Sequence, residues 1–260
     1  MLKIENVTIE GWESAIRGMR NPMNSWTKSD SYEGYDCHAC GKIDREGSCA
    51  KADRDEGVCK KFHGWQIGPN DRKLMESLRD AGSDHAKYRR MIVVWCDILA
   101  PLYWWKEFDT YKVGTVANSC STMHKIAEKE FVLDDFSHEH LSDFARDYIL
   151  GDAIHELNVN RHEYLVTGEK QYWWNMIQLL PSSYNQKRTI MLNYEVLANI
   201  YPARRNHKLD EWHTFCDWIE SLPESWIIVG ETEDERIEKL YSAAKTAVKE
   251  YADGGLAPTT

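Results

Sequence analysis

Two groups of residues in this 260-residue chain have the types and spacing to do chemistry. The first is Cys37-x2-Cys40 with Cys49 and Cys59, in a segment (36–63) dominated by Gly, Asp, Lys and Glu. So few apolar side chains give it little to bury. Four thiolates around one Zn2+ would supply the missing stability. The close Cys-x2-Cys pair has metal-ligand spacing, whereas the gaps of eight and nine residues before Cys49 and Cys59 are irregular. His38 or His63 could replace a cysteine. A closed four-Cys set leaves no open position, so such a metal would be structural. A Cys-rich loop without metal is the competing reading. The second group, in residues 177–223, is Asn193, Asn199, Arg204 and Arg205, gathered where a strand and two helices should meet. Amides and guanidiniums in such a place could hold an anionic, hydrogen-bonding ligand. Two amphipathic helices on a sheet, with arginines at a solvated end, explain the same pattern.

Composition narrows the classes. Hydrophobic residues make up 42% and charged residues 28%, as in an ordinary soluble protein. The length allows one domain (1–260) with an insertion at 36–63. A formal charge of −10 argues against general nucleic-acid binding, while local arginines leave room for a small nucleotide. No apolar run approaches the ~20 residues of a membrane helix, and no signal pattern opens the chain. A cytoplasmic setting is therefore expected, with the seven cysteines as thiols or metal ligands. Eleven Trp and 13 Tyr would serve a core or a pocket for planar ligands.

These residues need positioning elements. Alternation predicts a strand over 1–10, followed by a short helix over 11–19. A helix over 67–81 is expected with Asn70-Asp71 as its cap, then a strand over 84–100 and a helix from Pro101 through Trp104, Trp105 and Phe108. Residues 136–175 read as two helices, with Leu141, Phe144, Ala145 and Ile149 on one face and a break at Gly168. Leu180-Pro181 ends that region; Thr189, Met191 and Asn193 then alternate with Ile190 and Leu192 as a strand over 187–193. A helix from Tyr194 carries Val196, Leu197, Ile200 and Tyr201, and Pro202 is expected to disturb it where Arg204 emerges. Trp212, Phe215, Cys216 and Ile219 share a face of the next helix, 208–222. An amphipathic helix follows the acidic run 231–235, and 254–260 should fray.

The order Leu180-Pro181, short strand, Asn193-x3-Leu197-x-Asn199-x4-Arg204, then a helix with Glu211-Trp212 resembles the C-terminal part of the flavin-dependent thymidylate synthases. His85 before a strand, then Pro101 and the Trp104-Trp105 pair, match the family's outline, which spans about residues 67–220. Its signature is Arg-His-Arg, seven residues, then Ser. Here Tyr111-Lys112-Val113 precedes Ser121. Asn118 and Ser121 match, whereas Ser119 stands at the family's Glu and Met123 at its Arg. Each lost phosphate contact would cost ~1.5–3 kcal/mol, and Lys112 restores one charge.

The resemblance implies an α+β fold, an antiparallel sheet flanked by helices, with the Cys-rich segment inserted. It implies a homotetramer that transfers a one-carbon unit to C5 of dUMP or a related pyrimidine nucleotide. FAD would be the cofactor, with methylenetetrahydrofolate and NADPH as co-substrates. Arg204 and Ser121 would be catalytic; Asn193, Asn199, Arg204 and Arg205 would hold the nucleotide; and His85, Lys112 and Asn118 would lie against the flavin. A non-catalytic protein that binds or sequesters a nucleotide on the same fold is the alternative. A structural protein using its Cys-rich insertion for contacts is a third.

Overall fold

The computed structural model describes residues 1–35 and 63–230, with Glu235, Glu238, Tyr241, Ser242 and Lys245. Cys37, Cys40, Cys49 and Cys59 lie outside the described residues, as does all but those five positions of the expected C-terminal helix. The strands are β1 (Lys3–Glu10), β2 (Tyr32–Tyr35), β3 (His63–Gln66), β4 (Val93–Pro101), β5 (Val116–Ser119) and β6 (Asn185–Asn193). The helices are α1 (Trp12–Arg20), α2 (Pro69–Asp80), α3 (Leu102–Phe108), α4 (Thr122–Lys125), α5 (Gly151–Thr167), α6 (Lys170–Leu179), α7 (Tyr194–Arg204), α8 (Asp210–Glu220) and α9 (Trp226–Val229).

The chain divides into two compact units, and the first comprises Met1–Glu10 and Ile92–Leu222. Its frame is an antiparallel sheet in the order β1-β4-β6-β5. A two-residue period fixes which face is buried. Val94, Cys96, Ile98, Ile190 and Leu192 point into the core, while Trp95, Lys187 and Thr189 face outward. The register sets Cys96 opposite Ile190 and Asp97 opposite Thr189. Trp104, Trp105 and Phe108 of α3 pack with Trp212 and Phe215 of α8; Trp104 lies 4.8 Å from Trp212 between ring centroids. A second apolar cluster joins Ile126, Phe131, Phe136, Leu150, Leu157 and Met176.

The second unit comprises Gly11–Met91 and the residues from Pro223 onward. Its β2–β3 hairpin flanks the Cys-rich segment. The fully buried Asp71 organises this unit. Its carboxylate accepts from Arg20 Nε at 2.6 Å, Ser31 Oγ at 2.7 Å, Ser29 Oγ at 2.8 Å and the backbone N–H groups of Asp30 and Ser31. Burial alone would push its pKa up, but the bonds from Ser31, Ser29 and Arg20 hold it below the usual value.

The structure corrects several expected boundaries. The strand expected over 84–100 begins only at Val93, because residues Lys87–Met91 form a 3-10 turn that buries Tyr88 and Arg89. Tyr88 Oη donates there to Met75 O at 3.0 Å. Asn70 and Asp71 do not cap α2; Gly68 is its N-cap, and Asp30 from outside the helix accepts from both of their N–H groups. Pro202 does not end α7, which runs on to Arg204 and closes with Arg205 N–H on Tyr201 O. Pro202 is exposed, so its ring has room at the outer face. The face of Leu141, Phe144 and Ile149 is open, with Phe144 65% and Ile149 62% exposed. A π-helical turn over Ala145–Leu150 shifts the helical phase that the spacing assumed. Gly168 does break the helix, in the left-handed conformation.

Candidate functional site

In the first unit, α3, the turn before β5, α7 and α8 bring together Arg204 and Lys112 of the expected site residues, with Tyr111 beside them. α7 ends on Arg204, which lies against α3 and α8. Its Nη1 donates to Glu107 Oε2 at 2.6 Å and its Nε to Tyr111 Oη at 2.8 Å. The guanidinium also lies over the Trp212 ring at 4.6 Å. Glu107 Oε2 accepts from Trp212 Nε1 at 2.9 Å and sits 3.4 Å from His207 Nε2. Arg204 therefore acts inside the fold: it fixes the Tyr111 phenol and neutralises Glu107.

Beyond Tyr111 opens a cavity of about 230 Å³, lined by Phe108, Asp109, Tyr111, Lys112, Thr115 and Ala117. Asp109 is neutralised by Arg188 at 2.8 Å, whose guanidinium lies 4.3 Å from the Trp105 ring centroid. Lys112 has no ion-pair partner among the described residues. The buried Thr115 Oγ1 has no hydrogen-bond partner among the described residues. A buried hydroxyl left unpaired costs free energy that a ligand oxygen would recover. Gly114 makes this turn possible: its φ is +80°, and a Cβ there would meet Val196 Cγ2 at 3.1 Å and Asn193 Nδ2 at 3.2 Å. No sequence motif announced Gly114, Thr115 or Glu107. The Tyr111-Lys112-Val113-Gly114 run was the available signal, and Gly was its readable part.

The other expected residues are placed differently. Asn193 caps α7, its Oδ1 accepting from Val196 N–H at 3.0 Å. Asn199 is exposed on α7. Arg205 pairs with Asp217 and Glu220 of α8. Ser121 caps the short α4 by accepting from His124 N–H at 3.0 Å. Asn118 is exposed on the edge strand β5, opposite Thr189. His85 is an exposed turn residue of the second unit. Met123 lines a larger cavity of about 430 Å³. Among the described residues no group of His, Cys, Asp and Glu is arranged to hold a metal ion.

The fold has counterparts among solved structures. A thymidylate synthase X from Helicobacter pylori, determined with FAD and dUMP, superposes with a TM-score of 0.58. It is 14% identical over 88% of this chain and 98% of its own. A second structure of the flavin-dependent thymidylate synthase from that organism, complexed with FAD and dUMP, gives 0.58 at 13% identity, covering 88% of this chain and 98% of that one. The likeness is one of fold. A UMP/dUMP methylase from Streptomyces cacaoi bound with 5-Br dUMP gives 0.49 at 12%, covering 87% of this chain and 94% of that one. No known family's sequence profile matches the chain, and no curated protein matches it.

Proposed function

We propose that the protein binds a dUMP-like pyrimidine nucleotide and transfers a one-carbon unit to C5 of its ring, in the manner of the flavin-dependent thymidylate synthases. What supports this most is the extent of the shared fold, which spans 98% of a thymidylate synthase chain that carries FAD and dUMP. The local chemistry is compatible. Lys112 and Thr115 offer a free ammonium and an unpaired hydroxyl at one cavity, which fits a single phosphate group. FAD, when bound and reduced by NADPH, would supply the hydride, with Lys112 and Asn118 as its candidate contacts; methylenetetrahydrofolate would bring the carbon. In this reading Arg204 is a positioning residue. It keeps Tyr111 and the turn that follows in place, and Glu107 prevents it from swinging toward solvent.

A second reading, nucleotide binding without catalysis, is favoured by one observation. The position of the family's basic triplet carries one cation, Lys112, and Arg204 is already neutralised by Glu107. Incubating the protein with dUMP, FAD, NADPH and methylenetetrahydrofolate, then weighing the nucleotide by mass spectrometry, separates the two. A one-carbon gain supports the transferase; bound but unmodified dUMP supports the second reading.

A further inference from the structure

The second unit holds a cavity of its own, of about 190 Å³. Glu13, Ile16, Arg17 and Arg20 line it from α1, and their three- and four-residue spacing puts all four on one face of that helix. The Trp26 and Trp65 rings form the opposing lining. An apolar cavity of about 150 Å³ holds a benzene molecule, so this one has room for a single substituted ring. Trp26 spends its Nε1–H on Asn21 Oδ1 at 2.8 Å, which leaves the ring only apolar surface to offer a ligand.

Arg20 supplies the polar part of the wall. Its side chain is 4% exposed, and its Nε donates to Asp71 Oδ1 at 2.6 Å. A forked pair would bring Nη2 onto the second carboxylate oxygen. That oxygen already accepts from the hydroxyls of Ser29 and Ser31 and from the N–H groups of Asp30 and Ser31. Nη1 is turned to Ser25, 3.3 Å from its carbonyl oxygen. Nη2 is therefore left buried, with no hydrogen-bond partner among the described residues. An unpaired buried donor costs free energy that an acceptor carried by a ligand would recover.

The charges around this donor select the kind of acceptor. Asp71 neutralises Arg20, and Glu13 lies 3.5 Å from Arg17. With both cations paired, a ligand anion would face the fully buried Asp71 carboxylate uncompensated, whereas a neutral oxygen meets no such repulsion. We propose that the cavity binds a single uncharged aromatic ring bearing a carbonyl or amide oxygen. The oxygen accepts from Arg20 Nη2 and the ring lies against Trp26 and Trp65. The site lies wholly within the second unit and does not rest on the nucleotide reading.

Calorimetry on the full chain with benzamide, benzoate and toluene tests this, because the three share one ring and differ in the oxygen and its charge. Benzamide should bind saturably at one site per chain, at least tenfold tighter than benzoate or toluene. Trp26 is half-exposed, so Trp26→Ala should fold normally and weaken benzamide binding at least tenfold. Arg20→Lys keeps a cation for Asp71 but has no second branch to donate, so it should weaken benzamide and leave toluene unchanged. If that variant fails to fold, the probe series and Trp26→Ala decide the matter. Absence of saturable benzamide binding would overturn the proposal. So would toluene or benzoate binding as tightly as benzamide, an affinity indifferent to Trp26→Ala, or a folded Arg20→Lys that binds benzamide as tightly as wild type.

Discussion

Replacing Arg204 by alanine removes two hydrogen bonds at once and leaves the Glu107 carboxylate with Trp212 and His207 alone. Glu107 is 35% exposed, so water offsets part of the loss, and a cost of about 1–2 kcal/mol in urea unfolding is expected. Arg204→Lys keeps the charge but cannot serve Tyr111 and Glu107 together, so it should fall between wild type and alanine. Asp97 gives the pH-dependent counterpart. Hydrogen bonds from Thr189, Asn6 and Lys187 hold its pKa down from 3.8 to about 2. A depressed carboxylate stabilises the fold above its unfolded value and loses that contribution as the pH falls. The stability gap between wild type and Asp97→Asn should therefore be full above pH 4 and close between pH 3.8 and about 2, read from thermal unfolding. Thiol labelling checks burial. Cys120 is exposed, whereas burial pushes Cys96 up to about 12 and Cys216 up to about 11. Of these three, Cys120 alone should react with a maleimide at pH 7.5 in the native state, and labelling of Cys96 before unfolding would contradict the packing of β4.

At the scale of elements, the turn between α3 and β5 and the Asp71 network carry the sharpest expectations. Gly114→Ala forces a side chain into a left-handed turn against Val196 and Asn193, so it should cost about 1–3 kcal/mol and disorder the Lys112–Thr115 cavity. Asp71→Ala leaves Arg20, only 3% exposed, as a buried charge without its carboxylate; a loss of about 3–5 kcal/mol is expected. Some of this organisation was legible in the sequence. The two-residue alternation at Val93–Ile98 and Thr189–Asn193 and the apolar stripes of α7 and α8 repeat simply, so their elements were readable. What repeats nowhere was not. Asp30 caps α2 from forty residues away in sequence, and Glu107 meets Arg204 only after folding. Asn193 was legible as a polar residue at a strand–helix junction, but the same position suits a ligand contact and an N-cap, and spacing cannot separate them. Pro202 looked like a breaker because its tolerance depends on which face of α7 meets solvent.

At the scale of the whole molecule, the resemblance stated in sequence terms and the fold agree on an antiparallel sheet flanked by helices, while the chemistry rests on proposals that can be measured. Phe144, Tyr148, Ile149, Leu165 and Val166 are each more than half exposed in the single chain, apolar side chains that a second chain could cover. Light scattering at micromolar concentration should give the mass of four chains, as proposed from the resemblance; a monomer would remove the oligomer from the account. Metal analysis should find one zinc per chain, held by Cys37, Cys40, Cys49 and Cys59; no zinc, with a Cys37→Ser/Cys40→Ser variant as stable as wild type, would leave a loop without metal. The most direct measurement is a titration of the purified chain with FAD, followed by absorbance and flavin fluorescence, with and without dUMP. The account predicts saturable FAD binding with a shifted flavin band, tightened by dUMP and weakened in Lys112→Ala. A flavin spectrum identical to free FAD at every concentration, together with no heat on adding dUMP, would contradict it.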